Sequence, residues 1–338
     1  MATNQLTSNI THTYAGKEFL TKLFFQPQLE GKDLYREFQF IPDLRDKVNI
    51  YLPRRLQKIL RADTDCGFTA VGTTTIDDKT ITGCKVKFNL EECSDAFDNT
   101  IFQEFLKTGT DRNDMIGTVV DTIMQEQTER AVREDNQKLL WFGDDADADS
   151  FYGICDGIWR LLIDASSSLG YSIDMSNDSN IEDGAGVLVA DGAQEALEQI
   201  WTNQPATLRA IPRSDKRFYV TATIWDNYWK TLENTSTDSG LQRLQDGTVS
   251  LSYRGVQLVE MSEWDDALAD AANPFQAEIG DNAILYTTPD NIVIGADVND
   301  ANAEMEVWYD KLNELVYRKG KWIQGVQYVE DELMCIAI

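Results

Sequence analysis

The runs Glu314-Leu315-Val316-Tyr317-Arg318 and Trp322-Ile323-Gln324-Gly325-Val326-Gln327-Tyr328 decide how this chain is read. Both alternate, or nearly alternate, apolar and polar residues, the period of a half-buried antiparallel strand. Before them, Ala303-Glu304-Met305-Glu306-Val307-Trp308-Tyr309 reads as an acidic crossing helix. After them the sequence reaches Leu333-Met334-Cys335-Ile336-Ala337-Ile338, too apolar to be left in water. Either the body of the same chain or a neighbouring molecule must cover it. The pattern is that of a building block rather than of catalytic loops.

The 338 residues suffice for two substructures with sizeable cores. No apolar run approaches the ~20 residues that span a bilayer. Met1 to Gln5 lacks a basic segment leading into an apolar one, so no secretory signal is expected. Cysteines at 66, 84, 93, 155 and 335 are odd in number and form no CxxC pair. Reduced thiols are expected, not a disulfide framework. A net charge of −27 argues against general affinity for nucleic-acid backbone. Residues 1–62 nevertheless hold ten Lys/Arg against six Asp/Glu, a net +4 that leaves −31 for the remainder. A basic arm on an acidic body suits head-to-tail contact between copies. A solvated acidic surface that keeps the protein dispersed is the alternative.

Along the chain, residues 1–15 are polar and Lys17 to Phe25 reads as a short amphipathic helix limited by Pro27. Residues 28–44 read as extended and irregular, with Tyr35, Phe38 and Phe40 in need of a partner surface. Lys47 to Leu52 and Ile81 to Leu90 read as strands of a long ribbon, with Asp77-Asp78-Lys79-Thr80 as a turn. Asp98 or Asn99 can cap a short helix and Asp111 a second that runs to Phe142, with Gly143 as its stop. That helix would hold ~30 residues and span ~45 Å, with Ile116, Val119, Val120, Ile123, Gln127 and Ala131 along one face. Residues 143–186 read as loop-rich. A helix follows over Gly192 to Thr202, then a strand over Phe218 to Thr223 and an aromatic helical turn over Ile224 to Trp229. Val249–Tyr253, Gly255–Val259, Ala283–Tyr286 and Ile292–Ile294 read as strands.

The search for chemistry is largely negative. His12 is the sole histidine, which speaks against histidine catalysis and ordinary zinc sites. No nucleophile elbow or phosphate loop is present, and Gly184-Ala185-Gly186 reads as a linker. Asp145, Asp147 and Asp149, with Asp156, are spaced like a calcium loop, but Ser150 stands where the turn needs glycine. A solvated loop is the better reading. Pairs such as Glu263 and Asp265 are unavoidable with 57 acidic residues. No catalytic residue, cofactor or metal is expected. Arg54-Arg55-Leu56-Gln57-Lys58-Ile59-Leu60-Arg61 fits a nucleic-acid patch or a helical turn with one wet face. The favoured reading sets it against acidic surface on a neighbouring copy.

Several stretches, taken in order, resemble one family. They are Glu134 to Asp144, Tyr152 to Trp159, Arg217 to Thr221, Tyr253 to Val259, Thr288 to Gly295, and the tail from Gly325 to Leu333. The chain resembles the major capsid proteins of tailed phages, the Hong Kong ninety-seven fold, and among them members from phages of Bacteroidetes-type hosts. The resemblance implies an α+β fold with an N-terminal arm (1–44), an E-loop ribbon (45–95), a P domain with a long spine helix (96–160 and 300–325) and an αβ A domain (161–299 and 326–338). It implies hexamers and pentamers of this one chain closing an icosahedral head around double-stranded DNA. Portal and scaffold proteins, and decoration proteins in some members, would be its partners. The short arm suits a separate scaffold. The virion would be its destination and the host cytoplasm its place of assembly, with no membrane involved. Phe19, Phe24, Arg54, Arg55, Lys58, Arg61, Phe68, Lys79, Lys85 and Lys87 are the candidate inter-subunit residues, none of them assigned to a covalent crosslink. Two rival readings stand beside this one: an encapsulin-like shell on the same fold, and an acidic hydrolase or carbohydrate-binding protein with a deep pocket and a self-packed 45–95 hairpin.

Overall fold

The computed structural model describes residues 34–54, 60, 75–97, 102, 105–109, 112–169, 171–184, 186–234, 251–297 and 305–338. Its backbone is organised around one long strand, β12 (Leu315–Tyr328), which contains both alternating runs. On one flank β12 pairs antiparallel with β11 (Met305–Asp310) and, further along, with β10 (Ile292–Ala296). On the other it pairs with β4 (Cys84–Cys93) from Leu315↔Cys93 to Gln324↔Cys84. β1 (Gln39–Ile41) adds in parallel to β10 and completes a five-stranded sheet. Met305 to Asp310 is therefore a strand and not the expected helix. Its burial alternates, with Glu306 and Trp308 facing out.

Helix α2 (Val119–Phe142) crosses this sheet. It is shorter than the sequence suggested, 24 residues or ~36 Å. Gly117 at φ +78° breaks the helical path, and the Thr118 side chain caps the first turn by accepting from Asp121 N at 3.2 Å. The buried stripe runs Val120, Met124, Thr128, Val132, Asn136, while Gln127 and Ala131 lie in solvent. Val120 and Met124 meet Val316 of β12. Val132 and Leu139 meet Val86 and Trp322.

The second body is a six-stranded sheet in the order β5-β13-β9-β6-β8-β7, with β5 (Ser172–Ile173), β6 (Arg217–Val220), β7 (Ser252–Tyr253), β8 (Val256–Glu260), β9 (Ile284–Thr287) and β13 (Met334–Ala337). Helices cover both faces, and period-2 alternation assigns the residues. Phe218, Val220, Ile284, Tyr286, Cys335 and Ala337 pack on α4 (Gly192–Asn203) and α6 (Ala222–Asn234), which the short α5 (Ala206–Ala210) separates along the chain. Tyr219, Leu285, Met334 and Ile336 pack on α3 (Ile158–Leu169) and α7 (Ser262–Ala269). The apolar tail is thus covered by its own chain, between β5 and β9. Helix α3 occupies a region read from sequence as loops. Under α3 and α7, the Trp264 ring meets Trp141 at 4.9 Å and Trp159 at 5.1 Å, both edge-on.

Residues 34–44 differ from the irregular arm expected of them. Leu34 to Glu37 is a helical turn, α1. Phe38 is buried against Trp141 and Tyr219, with centroids 5.8 and 5.4 Å away. Tyr219 donates its hydroxyl to Glu37 Oε1 at 2.9 Å. The expected reduced thiols also need correction. Cys84 and Cys155 form a disulfide, their Cα atoms 5.9 Å apart, across 71 residues of sequence. Spacing in sequence could not reveal that β4 passes beside the loop that follows α2.

Candidate inter-subunit surface

The ribbon is built differently from the sequence reading, and the difference lies at Gly83. β2 (Lys47–Pro53) pairs with β3 (Ile76–Thr82), so Asp77 to Thr80 is strand and not turn. Gly83 then redirects the chain into β4. A Cβ there would stand 2.7 Å from Ile323 Cγ2 and 3.1 Å from Asp46 O, so glycine permits the close crossing. The foot of the ribbon rests on its own body. Leu44, Ile81 and Val293 are fully buried there, with Val48 and Ile50 packed against them. Gln327 Nε2 donates to Thr80 O at 3.0 Å.

Charged side chains tie the ribbon down further. Arg54 bonds both Asp77 and Glu330, and those bonds raise its pKa well above the usual guanidinium value. Lys79 Nζ reaches Asp331 at 2.5 Å and lies 3.4 Å from the centre of the Tyr328 ring. Lys85 and Lys87 stand exposed on the outer face of β4. These four candidates therefore lie on or beside one ribbon, with Arg54 and Lys79 engaged by carboxylates of their own chain. Phe19, Phe24, Arg55, Lys58, Arg61 and Phe68 lie outside the described residues.

The ribbon also carries apolar surface that its own chain leaves open. Tyr51 is 68 % exposed, Ile76 63 % and Leu60 92 %. Tyr51 lies on the face of β2 opposite Ile50 and Leu52, so strand alternation alone marks it. On the β11–β12 hairpin Leu312 is 89 % exposed, and Trp308 stacks on Tyr317 at 5.4 Å. Glu306, Val307, Trp308 and Lys319 line an open depression of about 390 Å³. Large apolar groups thus stand exposed on both ribbons, which makes these ribbons candidates for contact with another molecule. The sequence reading missed this set because it weighed charge ahead of exposure.

The candidate carboxylate pair does not converge. Glu263 and Asp265 are two residues apart on α7, a spacing that makes side chains diverge. Asp265 accepts from Ala222 N at 3.2 Å, and its carboxyl is pushed up to about 6, chiefly by burial. In the acidic loop, Asp147 Oδ1 takes the Asp149 amide and Asp149 Oδ1 the Phe151 amide, at 2.6 and 2.7 Å. Carboxylate oxygens of Asp144, Asp145 and Asp156 lie within 4.8 Å of one another, mostly in solvent. Among the described residues no helix is long and apolar enough to cross a membrane.

No family model and no curated protein matches the chain by sequence. Solved structures do match its backbone. A chain from Mycobacterium phage Bobi superposes with a TM-score of 0.55 at 10 % identity, covering 96 % of this chain and 94 % of its own. One from the capsid of Myoviridae phage XM1 gives 0.55 at 11 % identity, with 95 % and 96 % covered. One from the satellite phage P4 procapsid gives 0.51 at 10 % identity, with 90 % and 94 % covered. This is the tailed-phage capsid fold. The likeness covers 90–96 % of this chain, so it concerns the fold as a whole and not one module of it.

Proposed function

We propose that this chain is a major capsid protein, which assembles with copies of itself into the head of a tailed phage. The observation that carries the reading is likeness to capsid structures over nearly the full length of both chains. Residues 45–95 then act as the E-loop, laid over a neighbour through Tyr51, Leu60 and Ile76. Residues 96–160 and 300–325 form the P domain, and 161–299 with 326–338 the A domain, which meets its copies in hexamers and pentamers. Each contact is modest, and a ribbon clamped on neighbours adds multivalent strength. The −27 charge suits a wall against which packaged DNA slides without sticking. Assembly in the host cytoplasm, a separate scaffold, a portal and decoration proteins belong to the same reading.

Sedimentation velocity and negative-stain microscopy of the purified chain test it. Capsomers or closed shells are expected. A stable monomer of 38.2 kDa overturns the reading. Shells that hold a protein cargo and no DNA in the producing cell would instead indicate a nanocompartment. Tyr51→Asp with Ile76→Asp should leave the body folded and abolish assembly. Undiminished shells from that variant would refute the role given to the ribbon.

A further inference from the structure

The six-stranded sheet is electrically polar along its strands. β6 and β8 are parallel, so both begin at one end and finish at the other. Arg213 lies just before β6 and Arg254 in the turn before β8. Their guanidinium carbons sit 5.3 and 5.6 Å from the Trp201 ring centre, and Arg213 Nη1 donates to Arg254 O at 2.8 Å. Arg209 is exposed nearby and donates to Thr202 O at 3.0 Å. Lys216 is buried beneath them, with Nζ on Leu208 O at 3.0 Å. Burial chiefly, and after it the charges of Arg213 and Arg209, push its pKa down. Among the described residues, Arg209, Arg213 and Lys216 form no ion pair, and Arg254 pairs with Glu198. Asp215, at the same end, accepts from Ser214 Oγ instead.

The other end is acidic. Glu260 closes β8, Asp226 lies one turn into the helix that follows β6, and Asp281 leads into β9. All three are exposed, and none forms an ion pair among the described residues. They are close enough to repel. Asp226 adds to the burial that raises Glu260, and Glu260 and Asp281 add to the burial that raises Asp265. A four-residue strand spans only ~13 Å, so both charged ends belong to one compact body.

Opposite ends on one rigid body cannot neutralise each other. They can meet their complements on other copies, and such a head-to-tail contact repeats around a ring. A polyanion is a poor occupant of the basic end, because the chain around it carries −27. We propose that the end bearing Arg209, Arg213 and Arg254 docks on the end bearing Asp226, Glu260 and Asp281 of the next copy in a capsomer. The proposal rests on the capsid reading and names the contact that closes the ring.

Charge reversal tests it, in protein whose unaltered form assembles; failure of the unaltered chain would count against the capsid reading instead. Arg209→Glu with Arg213→Glu should raise the concentration needed for assembly at least about tenfold. Adding Asp226→Lys and Glu260→Lys to that chain should restore it. Asp226→Lys with Glu260→Lys alone, at positions with no ion pair to lose, should impair assembly while the monomer melts as before. Normal assembly by either reversed end, or no recovery in a folded four-fold variant, overturns the proposal.

Discussion

Arg318 reaches from near the start of β12 to Asp121 in the first turn of α2, Nη2 to Oδ1 at 2.6 Å, with its side chain wholly buried. Its Nε donates to Glu92 Oε2 of β4 at 3.1 Å. One cation thus holds the helix, the long strand and the strand leading from the ribbon. Burial nonetheless pushes the Glu92 carboxyl up, against the pull of Arg318.

Replacing Arg318 by Met leaves that carboxyl buried without a counter-charge, which costs about 3–5 kcal/mol. Chemical denaturation should show the loss. The deficit should be larger at pH 8 than near pH 5, because Glu92 then takes up a proton and sheds its charge. Removing both charges, as Arg318→Met with Glu92→Leu, should recover part of the stability. A deficit that ignores pH would refute this account.

Gly325 marks where the ribbon crosses β12. A Cβ there would lie 2.4 Å from Thr82 O and 3.1 Å from Ile81 Cγ2. Backbone cannot yield as a side chain can, so Gly325→Ala should cost about 1–3 kcal/mol and loosen the ribbon. Faster limited proteolysis between residues 47 and 82, with the six-stranded body still protected, is the expected readout.

Asp265 gives a pH signature. Its folded carboxyl is raised from 3.8 to about 6. The folded chain therefore binds this proton more tightly, and stability falls as pH rises through that window. Asp265→Asn keeps an acceptor for Ala222 N and removes the charge. It should match the parent near pH 4 and exceed it at pH 8 by about 1 kcal/mol, an amount reduced for partial exposure. Thermal melts at the two pH values decide the matter.

The Cys84–Cys155 bond fastens the start of β4 to the loop after α2. Closing 71 residues of chain should contribute about 2–4 kcal/mol. Reductant, or Cys84→Ser with Cys155→Ser, should lower the melting temperature by a matching amount. Intact-mass measurement with and without a thiol-blocking reagent checks that the bond forms.

The central strand was legible because its two faces differ: Val316, Arg318 and Trp322 are buried while Lys319 and Lys321 are wet. The neighbouring β11 showed the same alternation, yet its acidic residues suggested a helix. β3 reads as a turn in sequence because Asp77-Asp78-Lys79-Thr80 has no apolar period, and in the fold Asp77 and Asp78 both lie in solvent. The buried line of α2 was misplaced by one position, since Thr128 and Asn136 occupy it and Val119 does not. Helix α3 did carry a signal: Ile158, Trp159, Leu162 and Ala165 fall at helical spacing. For the contact surface, charge counting found Arg54 and Lys79 but could not show that Asp77, Glu330 and Asp331 engage them. The basic end of the sheet is hidden in the sequence because Arg254 lies some forty residues from Arg213 and the two meet only around Trp201.

The ladder between β12 and β4 has a mechanical meaning. Its bonds lie across the strands, from Leu315↔Cys93 to Gln324↔Cys84. Tension applied along the ribbon therefore loads all those rungs in parallel, as shear. Peeling would open them one at a time, but the crossing at Gly83 and Gly325 clamps the end where a peel would start. Tension entering from the ribbon meets the Cys84–Cys155 bond first and, once that bond is reduced, the ladder as a whole.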